Sequence, residues 1–116
     1  MIFLEYPKCS TCKKAKAWLD DNNAEYTDRN IKEENPDVGE LREWYQRSGL
    51  PLKKFFNTSG MLYREMNLKE RLPEMSEDEM LSLLASDGML VKRPLVIGDD
   101  FVLVGFKLQE WESKLL

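Results

Sequence analysis

The chain has 116 residues, of which 42% are hydrophobic and 33% are charged, and its formal net charge is −4. This length and composition predict one folded domain, residues 1–116, and exclude wholesale disorder. The acidic balance argues against direct nucleic-acid binding, and because the chain has no histidine, Ser-His-Asp and Cys-His catalysis are excluded.

The first thirty residues predict a strand, a helix and a second strand. Residues Ile2–Tyr6 are apolar and β-prone, and Pro7 ends the run. The segment Ser10–Asp21 carries its apolar side chains on one side, which is typical of an amphipathic helix. The segment Ala24–Arg29 then predicts a second strand, with Tyr26 facing inward.

The middle of the chain is predicted to be helical. We expect Asn35 to be the N-cap of a helix with Pro36 at its first position, and Gly49 to end that helix. Short helices or turns are expected in the stretch that follows. A capping-box pattern from Ser76 to Glu79 predicts the start of another helix.

The end of the chain predicts a β-hairpin and a last helix. The hairpin strands are Pro94–Ile97 and Phe101–Val104, and Leu108, Trp111 and Leu115 mark the helix. This element order is the thioredoxin plan. The predicted fold class is therefore α/β, a thioredoxin-like fold whose mixed four-stranded sheet has a helical insertion between the second and third strands, at approximately residues 31–90.

The sequence Cys9-Ser10-Thr11-Cys12 is a CxxC motif between a predicted strand and a predicted helix. That context puts Cys9 near the helix N-cap, where free backbone N–H groups and the helix dipole stabilise a thiolate. Cys12 lies about one helical turn further on and can resolve a mixed disulfide with Cys9. The motif predicts thiol–disulfide exchange.

Three other interpretations of the two cysteines remain open at this point. They are ordinary buried residues, half of a zinc site, or a permanent structural disulfide. The position of the motif between strand and helix argues against the first. The lack of histidine and of further cysteines argues against the second, and a reducing compartment argues against the third.

Arg93-Pro94 stands just before the third predicted strand. A thioredoxin-like fold commonly has a cis-proline there, packed against the CxxC motif. Arg93 would then lie beside Cys9 and hold a thiolate or an oxyanion. A solvated turn at Arg93, with Pro94 merely starting a strand, accounts for the sequence equally well.

Three stretches resemble the family that joins glutaredoxin-coupled arsenate reductases with Spx-type redox regulators of RNA polymerase. They are residues Tyr6–Ala15, Phe55–Gly60 and Leu90–Val96. The resemblance implies a thioredoxin-like domain with a helical insertion. It also implies that Cys9 is the nucleophilic cysteine and that Arg93 is the arginine before the cis-proline.

The likeness to the arsenate reductases is incomplete at the oxyanion site. Those enzymes surround the oxyanion with three arginines, and here Arg93 is the clear match. Asn57 stands at the second position, Gly105 or Phe106 falls near the third, and Cys12 is a thiol that those enzymes do not need. The chain therefore looks closer to arsenate-reductase-related proteins that keep a CxxC motif and the Arg-Pro pair.

The leading hypothesis is a thiol-dependent reductase, in which Cys9 attacks the substrate, Cys12 resolves the mixed disulfide, and Arg93 steadies the thiolate or an oxyanion. The resemblance implies no bound cofactor and no metal, and electrons from glutathione with glutaredoxin or from thioredoxin. The further candidates for substrate contact are Lys8, Ser10, Thr11, Arg64 and Pro94.

The alternative hypothesis is a regulator rather than an enzyme. Spx-type proteins use the CxxC disulfide as a switch and bind the α subunit of RNA polymerase through a glycine of the insertion, for which Gly49 or Gly60 is the candidate here. No apolar run is long enough to span a bilayer and no signal-peptide pattern is present. We expect a cytoplasmic protein with no membrane partner and no direct contact with nucleic acid.

Overall fold

The computed structural model describes residues 1–116 and contains four strands and six α-helices. In chain order they are β1 (Ile2–Glu5), α1 (Ser10–Asp21), β2 (Thr27–Asn30), α2 (Val38–Ser48), α3 (Met61–Glu65), α4 (Leu68–Arg71), α5 (Glu77–Ser86), β3 (Leu95–Ile97), β4 (Val102–Val104) and α6 (Leu108–Leu115). Short 3-10 turns at Leu52–Phe55, Leu72–Glu74 and Gly88–Leu90 connect the helices between β2 and β3.

The strands form one mixed sheet in the order β2-β1-β3-β4. Strand β1 pairs in parallel with β2, whereas β1 with β3 and β3 with β4 are antiparallel pairs. Phe3, Val96 and Leu103 stand opposite one another across three neighbouring strands. The topology is that of the thioredoxin-like fold, and the predicted α/β class is confirmed.

The two faces of the sheet build two hydrophobic cores, because side chains alternate along each strand. One face packs against α1 and α6, and the other packs against the helices between β2 and β3. The first core consists of Phe3, Ala15, Leu19, Val96, Leu103 and Trp111. The larger core joins Leu4, Leu95, Ile97 and Val104 to buried residues of the insertion, among them Leu41, Trp44, Phe55, Phe56, Leu68, Leu81 and Leu84.

Two predicted helices occur where the sequence placed them. Helix α1 spans Ser10–Asp21 as predicted. Helix α5 begins after the N-cap Ser76, whose hydroxyl accepts from the Glu79 N–H at 3.1 Å, while the Glu79 carboxylate accepts from the Ser76 N–H at 3.0 Å. This is the reciprocal capping box that the sequence predicted.

The predicted start of α2 was wrong. Its N-cap is Asp37 and not Asn35, and Pro36 lies before the helix instead of at its first position. Asp37 accepts from the Glu40 N–H at 2.8 Å and Glu40 accepts from the Asp37 N–H at 3.2 Å, so a second capping box sets the start. The Asn35 amide instead donates to the Ala85 carbonyl at 2.7 Å. Gly49 ends the helix as predicted, with φ +70°.

The second strand is shorter and later than the predicted segment Ala24–Arg29. It pairs only with β1, and that ladder spans Thr27–Asn30. Asn23 adopts a left-handed conformation with φ +58°, and the Ala24 N–H donates to the Leu19 carbonyl at 2.9 Å. The residues before Thr27 therefore belong to the connection that leaves α1.

Candidate active site

The two cysteines flank the first turn of α1. Cys9 is the N-cap, its N–H donates to the Tyr6 carbonyl at 2.9 Å, and its carbonyl accepts from the Lys13 N–H at 3.0 Å. The Cys9 sulfur therefore lies at the end of α1 where backbone N–H groups have no helical partner. Both cysteines are free thiols, with Cys9 half-buried and Cys12 fully buried.

The surroundings of Cys9 favour its thiolate. Burial of the sulfur opposes ionisation, but hydrogen bonds from the Cys12 backbone N–H, the Cys12 thiol and the Arg93 guanidinium outweigh it, and the Arg93 charge adds to them. Together they lower the pKa of Cys9 below its ordinary value. A thiolate is the reactive form of cysteine, so Cys9 is the nucleophile that this site supports.

Cys12 has the opposite character. Burial, together with hydrogen bonding and charge from Cys9, raises the pKa of Cys12 to about 12, although the Tyr6 backbone and the Arg93 charge act the other way. Cys12 therefore remains a neutral thiol that donates to the Cys9 sulfur. The difference between the two environments assigns attack to Cys9 and resolution to Cys12.

Arg93 approaches Cys9 from the loop before β3. The Arg93–Pro94 peptide bond is cis. The Arg93 guanidinium carbon lies 5.3 Å from the centre of the Tyr6 ring, and one terminal nitrogen donates to the Met89 carbonyl at 3.5 Å. Its Nε atom is buried without a hydrogen-bond partner, and no carboxylate pairs with the side chain. The positive charge is therefore available to a thiolate or an anionic substrate.

A cavity of about 440 Å³ opens beside Cys9. No carboxylate lines it, and three cationic side chains do. An anion that enters this cavity meets positive charge next to the nucleophilic sulfur. Its lining residues are Cys9, Ser10, Thr11, Asn57, Ser59, Gly60, Lys92, Arg93, Val104, Gly105, Phe106 and Lys107.

Four of the candidate site residues named from the sequence line this cavity, namely Cys9, Ser10, Thr11 and Arg93. Cys12 and Pro94 lie behind it as buried residues.

Two candidates do not line the cavity. Lys8 lines a separate cavity with Tyr6 and Pro7. Arg64 is exposed, and it donates to the Ser59 carbonyl at 3.2 Å. Arg64 thus contacts the loop that forms one wall of the cavity.

The structure brings to the cavity two lysines that the sequence did not predict as site residues. Lys92 and Lys107 bring two further cations to the cavity, from the turn before β3 and from the N-cap of α6. Asn57 is 8% exposed, and its backbone N–H donates to the Leu90 carbonyl at 2.8 Å. The resemblance over Phe55–Gly60 was the one sequence signal that pointed to this wall.

The structure contains no group of three or more His, Cys, Asp or Glu residues positioned to hold a metal ion. None of its helices combines the length and the apolar character that crossing a bilayer requires.

This chain has the sheet of a thioredoxin-like protein, a CxxC pair at a helix N-terminus, and an arginine and a cis-proline beside that pair. These features place it in the class of thioredoxin-like proteins. Residues 4–113 match the ArsC family, and the chain belongs to that family.

Three similar proteins illustrate the range of the family. The uncharacterized protein YusI of Bacillus subtilis (strain 168) is 57% identical over 113 residues, which is 97% of this chain and 96% of YusI. The crystal structure of an ArsC family related protein from Bacteroides fragilis is 60% identical and superimposes with a TM-score of 0.95 over 97% of this chain and 94% of that chain. The global transcriptional regulator Spx 2 of Bacillus anthracis is 26% identical over 102 residues, which is 88% of this chain and 76% of Spx 2.

Proposed function

We propose that this protein is a cytoplasmic thiol–disulfide oxidoreductase that uses Cys9 and Cys12 as its redox pair. One observation carries the proposal: Cys9 is the N-cap of α1 and the buried Cys12 lies one turn further along the same helix. These positions, with Arg93 beside the Cys9 sulfur, lower the pKa of Cys9 and raise the pKa of Cys12 to about 12. Cys9 is therefore the thiol that attacks, and Cys12 is the neutral thiol that reacts in the second step.

The first step is attack by the Cys9 thiolate on a substrate disulfide. A bond forms between Cys9 Sγ and one substrate sulfur, the substrate S–S bond breaks, and the other sulfur leaves as a thiolate that takes a proton from water. The Arg93 guanidinium offsets the negative charge that is shared between the sulfurs in this step. The product is a mixed disulfide on Cys9.

The second step is attack by Cys12 on the Cys9 sulfur. Negative charge on Cys9 is one cause of the raised pKa of Cys12, and that charge disappears when Cys9 enters the mixed disulfide. Cys12 then gives up its proton more readily, forms the Cys9–Cys12 bond, and releases the remaining substrate thiol. The substrate gains two electrons and the protein is left oxidised.

The oxidised protein requires an external reductant. Glutathione with glutaredoxin, or thioredoxin, would return two electrons to the Cys9–Cys12 disulfide and restore both thiols. The proposal needs no bound cofactor and no metal.

A thiol count with mass analysis tests the proposal. Mild peroxide should remove both free thiols and two hydrogen atoms of mass, and thioredoxin or glutathione with glutaredoxin should restore them. A Cys9→Ser variant should lose all turnover of a chromogenic disulfide. Thiols that stay reduced, or full activity in Cys9→Ser, would contradict the dithiol mechanism, while a lasting glutathione adduct on Cys9 alone would favour a single-cysteine reductase.

A second candidate function is redox-controlled regulation of transcription. The 26% identity to Spx 2, which extends over 88% of this chain, favours it. In that case the Cys9–Cys12 disulfide acts as a switch, and the partner is the α subunit of RNA polymerase. Pull-down with the C-terminal domain of that subunit, with and without oxidant, separates the two functions, because an oxidoreductase has no need of this contact.

A further inference from the structure

A second cavity adjoins the one beside Cys9 and extends it away from the cysteines. It has a volume of about 370 Å³ and shares Lys92, Val104 and Lys107 with the first cavity. Its other lining residues are Leu50, Lys53, Lys54, Phe56, Thr58 and Tyr63. The two cavities form a continuous groove that leads from Cys9 to Lys53.

Five cations line this groove, and we call it the basic groove after them. They are Lys53, Lys54, Lys92, Arg93 and Lys107. No carboxylate lines either cavity, and none of the five cations takes part in a salt bridge. This concentration of unpaired positive charge occurs on a chain whose net charge is −4. Such an arrangement attracts an anionic ligand from solution.

Gly105 lies close to Lys92, one of the three residues that the two cavities share. Gly105 has φ +77°, and a Cβ atom at this position would lie 3.2 Å from Lys92 Cε. The aliphatic part of Lys92 therefore passes directly over the Gly105 backbone, where a side chain would crowd it. Gly105 is held from both sides, since its N–H donates to the Pro94 carbonyl at 2.8 Å and its carbonyl accepts from Trp111 Nε1 at 3.0 Å.

The basic groove is too long for a small oxyanion. A tetrahedral oxyanion beside Cys9 would contact Arg93 but would leave Lys53 and Lys54 without a ligand. The second cavity also has apolar walls, which include Phe56 and Leu50, and Leu50 is 38% exposed. Apolar walls with flanking cations suit an extended peptide that carries both carboxylates and apolar side chains.

We propose that the substrate of this protein is a disulfide within an acidic segment of another protein. This inference rests on the proposed oxidoreductase function. Carboxylates of the segment lie along Lys107, Lys53 and Lys54 while Cys9 attacks the nearer sulfur of the disulfide. The exchange follows the two steps given above, so the substrate leaves as a dithiol and the protein as the Cys9–Cys12 disulfide. The basic groove selects by charge which protein disulfides are reduced.

The experiment compares short peptides in which one cysteine carries a 2-pyridyl disulfide. The cysteine is followed by a run of glutamates, glutamines or lysines, and the release of pyridine-2-thione reports attack by Cys9. We expect the glutamate peptide to react about 10-fold faster than the glutamine peptide at low ionic strength, and the lysine peptide to react more slowly than both. This advantage should fall to about twofold or less in roughly 0.5 M salt, because salt screens the exposed lysines.

Matched variants locate the charge effect. Lys53→Glu/Lys54→Glu should abolish the preference for the glutamate peptide. Lys69→Glu/Arg71→Glu makes the same change in net charge on exposed residues of α4, which line neither cavity, and should preserve the preference. Lys107→Glu serves as a second groove variant, and circular dichroism checks that each variant is folded.

The outcomes separate the inference from the proposed function. Equal rates for all peptides, or a preference that survives in both groove variants, would overturn the basic groove as the substrate site while leaving the oxidoreductase intact. The 2-pyridyl mixed disulfide of glutathione releases the same thione, and if it reacts as fast as the glutamate peptide, the ligand is a small tripeptide and the protein segment is overturned. No thione release from any peptide by the folded protein would overturn the oxidoreductase function and this inference with it.

Discussion

The guanidinium carbon of Arg93 lies 5.3 Å from the centre of the Tyr6 ring, directly beside Cys9. Tyr6 directly follows β1 and begins the segment that leads to the CxxC motif, and Arg93 lies in the loop before β3. The contact therefore joins two parts of the chain that are distant in sequence. The aromatic ring holds the guanidinium in place and leaves its positive charge intact, whereas a carboxylate would neutralise that charge.

Loss of Arg93 should make Cys9 less acidic. The Arg93→Ala variant removes both a hydrogen bond and a charge that lower the pKa of Cys9, so the pH dependence of Cys9 alkylation should move to higher pH. A Tyr6→Leu variant should cause a smaller shift in the same direction, since Tyr6 positions the guanidinium. Iodoacetamide alkylation across a pH series, followed by mass analysis, measures both effects.

The control for this prediction is Arg64→Ala. Arg64 contacts the Ser59 carbonyl and does not line the cavity with Cys9, so its loss should leave the alkylation profile unchanged. An unchanged profile in Arg93→Ala would show that Arg93 does not stabilise the thiolate.

The Cys12→Ser variant should stop the reaction at the mixed disulfide. Cys9 retains the N-cap position and the Arg93 contact, but no second thiol is available to release the substrate. Mass spectrometry after incubation with a peptide disulfide should therefore find the peptide attached to Cys9 in Cys12→Ser and not in the parent protein. Rapid release of the peptide from Cys12→Ser would mean that an external thiol, and not Cys12, resolves the intermediate.

The sequence predicted the elements whose signals are local. The CxxC motif and the capping box at Ser76 both act within one helical turn, and α1 and α5 begin where these patterns placed them. The start of α2 was wrong because the Asp37 capping box, which Arg29 braces through the Glu40 carboxylate at 2.7 and 2.9 Å, outweighed the Asn35-Pro36 signal. That brace joins β2 to α2 and depends on tertiary packing.

The site was predictable only in part for the same reason. Cys9 and its helix follow from the motif, whereas the lysines of the basic groove come from three separate segments. Lys54 lies in the insertion, Lys92 precedes β3 and Lys107 precedes α6. In the sequence, each of these three lysines is one of 17 basic residues and is typical of a solvated surface charge. Only the folded structure brings the three lysines to one side of Cys9.

The Glu5 carboxyl makes the stability of the protein depend on pH. Glu5 is 5% exposed and lies at the end of β1. Its burial, and then its hydrogen bond and charge repulsion with Asp28, raise the pKa of Glu5 to about 7, against the opposing charge of Lys16. The fold therefore favours the protonated form. The stability that protonated Glu5 contributes is complete below the unfolded pKa of 4.5, and it is lost as the pH rises through about 7.

A Glu5→Gln variant tests this titration. Glutamine cannot ionise and can still donate to the Asp28 carboxylate, so the variant should be more stable than the parent at pH values above 7, by roughly 2 kcal/mol. Urea unfolding of both proteins over a pH series measures the difference, and the exposed Glu25→Gln is the matched control. A parent and variant whose difference in unfolding free energy is the same at every pH would refute the raised pKa.

The Trp111 indole links the hydrophobic core under α1 and α6 to the groove. Trp111 is 0% exposed, and its Nε1–H donates to the Gly105 carbonyl at 3.0 Å. Its ring packs edge-on against Phe3, Trp18 and Phe106, with centroid distances between 4.7 and 6.4 Å. A Trp111→Phe variant leaves the buried Gly105 carbonyl without this donor and opens a void where the second ring was. We expect it to lower the free energy of unfolding by about 2–4 kcal/mol.

The matched control is Trp18→Phe, which removes an indole from the same core. Trp18 is only half-buried, and its indole nitrogen makes no hydrogen bond to the protein, so its loss should cost less. Gly105 lines the cavity beside Cys9 and lies close to Lys92. Trp111→Phe should therefore also reduce the preference for glutamate peptides, under conditions where the variant remains folded. Equal unfolding free energies for the two tryptophan variants would contradict a stabilising bond from Trp111 to Gly105.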